Sequence, residues 1–245
     1  MKSITSTCAT NRFVGILGLV FALTGPQTCL ADAFDVGDIH SWQFNSPNST
    51  QEVAKNAAKQ LLPALVLHDN AFAQRLGFNA AAEVSPNLTT GTAYAVFTVS
   101  LQRLLDYDSK SQSALWLLLG DSNFIRNSSP IPAKFLFPIL GLGGAVKTSV
   151  SVHMPPTAFA WEVFRIGSPQ LIKALTNNGS ATNYFVISVP ALNRYYLGKI
   201  EGSLFKIKTI FPDPLGINEG QEKIADQVFP LLQVEALHIS KSAPR

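Results

Sequence analysis

Phe135 to His153 reads FLFPILGLGGAVKTSVSVH, and this stretch decides the fold class. Two β-forming arms flank Gly141-Leu142-Gly143-Gly144, a glycine cluster that favours the positive-φ turn of a hairpin. In the second arm Val146, Thr148, Val150 and Val152 alternate with Lys147, Ser149, Ser151 and His153. A period of two predicts one buried face and one wet face, the pattern of an antiparallel sheet.

Working outward, Ala93–Val99, Trp161–Ile166, Tyr184–Val189 and Leu204–Phe211 read as further strands, and the apolar run Leu115–Leu119 as a buried one. Helical spacing of Val53, Ala57, Leu61 and Leu65 predicts a helix over 51–67, with Ser49 and Glu52 as a capping box and Pro63 as a kink. Asp69 is placed to cap a short helix ended by Gly77, and Asn79 to open a turn over 80–84. A short helix is expected over 101–107. Ser168-Pro169 opens a helix running to about Asn177, and residues 221–237 form a closing helix with Pro230 as its kink. The expected class is α+β, a mainly antiparallel sheet with packed helices. The stretch 49–108 is a helical unit with one strand, and 109–240 a β-rich unit with helices.

Two segments resemble one another. Gly77 and Gly167 each precede a helical start, and each is followed 22 residues later by a strand-ending valine, Val99 or Val189. Leu101-Gln102-Arg103-Leu104 then matches Leu192-Asn193-Arg194-Tyr195. The repeating unit reads as glycine turn, helix, strand and short helix, so the fold is expected to hold two related strand-helix units.

The amino terminus reads as an export signal. Lys2 and Arg12 precede the uncharged run Phe13–Leu23, Gly25-Pro26 breaks the helix, and cleavage frames end at Ala31 and Ala33. The apolar run falls short of the roughly 20 residues that a membrane span needs. Residues 1–31 are therefore taken as the signal, 32–48 as a polar lead and 241–245 as a disordered tail. Cleavage after Ala31 removes both cysteines, Cys8 and Cys29, and shortens the 245-residue chain to 214. It also removes two of the 19 basic residues, so 17 face 16 acidic ones and the net charge drops from +3 to +1. Scattered lysines and arginines with so small a surplus argue against nucleic acid as a partner. Without cysteine there is no thiolate nucleophile or Cys-ligated metal. Charged residues make up only 14% of the chain against 47% apolar, which implies deep burial or an apolar working surface.

Three constellations invite chemistry. Leu117-Leu118-Leu119-Gly120-Asp121-Ser122 resembles the first block of the Gly-Asp-Ser esterases, with Ser122 as nucleophile and Asp121 beside it. His238 in Glu235-Ala236-Leu237-His238 is then the base. That family's asparagine block has only Gly216-Ile217-Asn218-Glu219 as counterpart, 20 residues before His238. Such an enzyme also needs parallel strand-helix alternation, and Gly, Asp and Ser are ordinary turn residues. The four histidines His40, His68, His153 and His238 lack metal-ligand spacing, so no metal and no cofactor is expected. Trp161, Phe164, Tyr184, Tyr195 and Tyr196 are candidates to line an apolar groove.

Phe135-Leu136-Phe137-Pro138-Ile139, the glycine hairpin, Ser168 leading into Leu171 and Leu175, Val189-Pro190-Ala191-Leu192 with Tyr195-Tyr196-Leu197, and Ile210-Phe211-Pro212-Asp213-Pro214 form a pattern from Gly77 to Leu237. It resembles the twenty-two-kilodalton component of the chloroplast inner-envelope translocon and its cyanobacterial periplasmic relatives. The resemblance implies an exported, non-catalytic, chaperone-like protein that binds apolar segments of other proteins, and the low charge and apolar composition suit peptides or other exported proteins as partners. A serine hydrolase using Ser122 is the alternative reading, and a structural envelope protein the third.

Overall fold

A computed structural model describes residues 46–119, 125–126, 129–130, 132, 134–155 and 160–242. The export signal, most of the polar lead, Gly120-Asp121-Ser122 and the final residues lie outside these. The helical start comprises α1 (Asn48–Asn56), a π-helical turn (Ala57–Leu61) and α2 (Leu62–Val66). The wide turn lies just before Pro63, whose missing N–H could not have closed an ordinary turn. No Ser49 capping box forms. The N-cap is Pro47, whose carbonyl accepts from Thr50 Oγ1 at 2.7 Å, while Glu52 turns to Lys55 at 2.9 Å. Asp69 does cap α3 (Asn70–Arg75), its side chain accepting from Phe72 N at 2.9 Å.

Strand β1 (Thr89–Thr90) and β2 (Tyr94–Thr98) lead into α4 (Leu101–Leu105), capped by Ser100. Leu115–Leu119 is a helix, α5, and not the strand its apolar run suggests. A short apolar run carries no period to separate the two, and here Leu117 and Leu118 are both buried against neighbouring helices and sheet. Arg103 lies over the Trp116 ring at 3.9 Å and donates to its carbonyl, pinning α5 to α4.

A small ribbon, β3 (Ile125–Arg126) with β4 (Ser129–Pro130), precedes β5 (Lys134–Leu140), β6 (Val146–His153) and β7 (Glu162–Gly167). Helix α6 (Pro169–Asn178) follows, then β8 (Phe185–Val189), β9 (Arg194–Glu201), β10 (Leu204–Thr209), β11 (Glu222–Ile224) and α7 (Ala225–Ser242). Two of these depart from expectation. Arg194-Tyr195 opens a long strand instead of continuing a short helix, and the closing helix surrenders its first residues to β11.

The sheet has nine strands in the order β11-β10-β9-β8-β2-β5-β6-β7, with β1 also on β5. Every pairing is antiparallel except the central one, β2 with β8. That register, Val96↔Val186, Phe97↔Ile187 and Thr98↔Ser188, matches the offset between the two similar sequence segments. Each central strand leads outward into its own three-stranded meander. The stretches 49–108 and 109–240 thus share one sheet, with β2 between β8 and β5. Pro138 sits inside β5 because the neighbouring line is broken opposite it: Gly91 N donates to Pro138 O at 2.8 Å between β1 and β2.

The two faces of the sheet are covered unequally. Helices α1 to α5 and α7 pack on one face over Phe97, Phe137, Val150, Ile187 and Phe205. A run of rings crosses that core: Phe97 to Phe185 at 5.2 Å, Phe185 to Phe205 at 5.9 Å, and Phe205 to Phe229 at 6.2 Å. Gly198 makes the run feasible, since a Cβ there would meet the Phe185 ring at 2.3 Å. Among the described residues the second face carries one helix, α6, packed through Ile172 and Leu175 on Leu136, Val186 and Leu197. Ser149, expected to be wet, is buried and donates to Gly167 O.

Candidate functional site

Because one ten-residue helix cannot cover nine strands, the described residues leave hollows on the second face at both ends of α6. Beyond the helix's carboxyl end lies a hollow of about 440 Å³ lined by small polar residues, among them Thr92, Asn177 and Ser180. Tyr94 is its firmest element, donating its hydroxyl to Gly179 O at 2.6 Å, and burial pushes that phenol up to about 12.

Two contiguous hollows of about 90 and 400 Å³ open at the amino end of α6, sharing Arg165, Ser168, Leu171 and Tyr195. The smaller is floored by Val96, Leu136 and Val186 with the hydroxyls of Thr98, Ser151 and Ser188. Lys134 and Phe164 form its wall. The wider one runs over Phe211, Asn193 and Pro169 to Arg75. Strand alternation explains the floor: Val96 and Thr98 on β2, and Val186 and Ser188 on β8, point the same way. The β-bulge between Ser151 and Val152 carries Phe164 out, so that its ring is 55% exposed. Lys134 Nζ lies 5.1 Å from that ring and His153 4.8 Å from it. His153 Nε2 in turn contacts Glu162 Oε1 at 3.0 Å.

The five aromatic candidates separate. Phe164 and Tyr195 line the cleft. Tyr184 sits elsewhere on the sheet, donating to Glu222 Oε1 at 2.8 Å beneath Lys199 and Lys208. That hydrogen bond and desolvation, the larger cause, raise its pKa. Trp161 packs edge-on to Phe135 at 5.5 Å on the helix-covered face. Tyr196 lies in that same core, 1% exposed, with its hydroxyl donated to Asp213 at 2.5 Å. Burial first, then the Asp213 carboxylate, drives its pKa far upward.

Beside Tyr196, Arg194 reaches Glu235 at 2.7 Å and lies 3.4 Å from Asp213, the latter a charge contact rather than a hydrogen bond. This cluster fastens β9, the loop after β10 and α7 together. His238 is exposed on the last turns of α7, while Ser122 and Asp121 fall outside the described residues. Among the described residues no three His, Cys, Asp or Glu side chains gather as a metal site, and no helix is long and apolar enough to cross a membrane.

No known family pattern, curated protein or solved structure matches this chain. Sequence reading missed Thr98, Ser188, Ser151, Lys134 and Arg165 as cleft residues. The available signal was a polar residue at the end of each apolar central strand, Val96-x-Thr98 and Val186-x-Ser188.

Proposed function

We propose that this is an exported, non-catalytic binding protein that holds an apolar peptide segment in the cleft at the amino end of α6. The observation that carries the reading is the cleft itself, where the exposed Phe164 and the half-buried Leu171 and Tyr195 stand around a floor that includes Leu136 and Val186. Binding sites of this kind are concave, mostly apolar and provided with a few convergent polar groups. The resemblance to the translocon component and its periplasmic relatives points the same way.

The test is fluorescence anisotropy of labelled mixed-sequence heptapeptides rich in Leu, Val and Phe, titrated with the mature protein. Phe164→Ala with Tyr195→Ala should weaken binding about tenfold or more, since the exposed Phe164 ring and the half-buried Tyr195 ring supply the apolar contact area. Undiminished binding by that variant would place the segment elsewhere. Fluorophosphonate labelling beside a Ser122→Ala control separates the hydrolase reading: labelling that disappears in the control would replace the binding reading.

A further inference from the structure

The register of the central strands does something the apolar reading of the cleft does not explain. Thr98 is paired with Ser188, and Ser188 with Tyr195. Three hydroxyl-bearing side chains therefore stand in one row across β2, β8 and β9, on the face of Val186 rather than of Ile187. The Ser188 side chain is 7% exposed and lines the cleft, where its hydroxyl makes no hydrogen bond to the described residues. Valine or alanine would fill the same position without desolvating a hydroxyl. An unpartnered hydroxyl on a nearly buried side chain that lines a cleft is placed for a polar atom arriving from outside.

The helix beside the row is equally unsatisfied. Ser168, at the N-cap of α6, takes a left-handed conformation with φ of 68° and makes no side-chain cap. Helix geometry leaves the amides of Gln170 and Leu171 without intrahelical acceptors, and both residues line the cleft. Lys134, Arg165 and Arg75 also line it, and no Asp or Glu does among the described residues. Neither Arg165 nor Arg75 is held in an ion pair among those residues. The carboxylate of β7, Glu162, is engaged by His153.

We infer that the segment bound in this cleft is anchored by a carboxylate, its own free C-terminal carboxyl group. This rests on the peptide reading above and names the end of the peptide that the cleft selects. The carboxylate accepts from the first-turn amides of α6 and from the Ser188 hydroxyl, with Arg165 and Lys134 supplying charge. The smaller hollow, about 90 Å³, suits a chain terminus because a chain that continued would need an exit. The preceding apolar residues lie along the wider hollow over Tyr195 and Phe211.

The experiment uses the same mixed-sequence heptapeptides in two forms, one with a free C-terminal carboxyl and one amidated. The free form should bind about tenfold or more tightly, a preference that shrinks as salt rises. Arg165→Gln alters an exposed side chain, and Ser188→Ala removes an unpartnered hydroxyl, so both variants should fold. Each should lower affinity for the free form several-fold and so narrow its preference over the amidated form. Equal affinity for the two forms overturns the carboxylate inference and leaves peptide binding standing. So does a preference that survives both substitutions together. Failure of both forms to bind overturns the peptide reading as well.

Discussion

Replacing Arg194 by methionine isolates the buried charge cluster. The Arg194 side chain is 8% exposed and the Asp213 carboxylate 4%. Methionine keeps most of the stem volume and removes the charge, leaving Asp213 buried with only the Tyr196 hydroxyl and the Leu215 amide as donors. Removing one partner of a buried pair typically costs about 3–5 kcal/mol, because an uncompensated charge remains in low dielectric. For a chain of this size about 1 kcal/mol moves the melting temperature by roughly 2–4 °C, so Arg194→Met should melt about 6–20 °C lower. Glu235, the other partner, is 36% exposed, and Glu235→Gln should cost under about 1 kcal/mol, since water screens it. Urea unfolding of the two variants and the parent, read by tryptophan fluorescence, measures both. The midpoint should shift with an unchanged slope. A loss below about 1 kcal/mol for Arg194→Met would refute the claim that this pair fastens α7 and the loop to the sheet.

Gly77 has φ of 90°, and an added Cβ would meet Lys147 O at 2.3 Å and Pro169 Cβ at 2.7 Å. Gly77→Ala should therefore destabilise the protein by at least about 2 kcal/mol in the same assay; a neutral effect would disprove the close approach of α3's end to β6 and α6. Tyr94 and Tyr107 are pushed up to about 12 by burial, with Asp226 adding to Tyr107, and Tyr196 is raised further in the same direction. Because the fold favours the protonated phenols, this contribution is fully present below pH 10 and is lost as pH rises from 10 through the folded values. Absorbance titration at alkaline pH should show these three ionising only with unfolding. Normal ionisation near pH 10 in the folded protein would contradict their burial.

The local signals were strong where sequence period and burial coincide. The hairpin of β5 and β6, the Asp69 cap, the strand ending in Phe97-Thr98-Val99 and the Pro169 start of α6 were all legible. Three features were not. Leu115–Leu119 has no period to distinguish helix from strand, and its packing against α4 and the sheet decides for helix. Arg194-Tyr195 reads as helical by analogy with Arg103-Leu104, yet pairing with β8 makes it the start of β9. Glu222–Ile224 belongs to β11 only because β10 offers an open edge.

For the cleft the division is sharper. Tyr195 and Tyr196 are neighbours in sequence, and strand alternation alone requires that they face opposite sides of the sheet. Which of them meets the cleft is a tertiary matter, set by α6 lying on one face and α7 on the other. Composition and alternation determined that this chain would bury one side of an antiparallel sheet. They could not determine how much of the other side a ten-residue helix would leave bare. Nor could they place Thr98, Ser188 and Tyr195 in one row, because that depends on pairing between strands ninety residues apart, and such pairing is fixed by the whole core rather than by any segment within it.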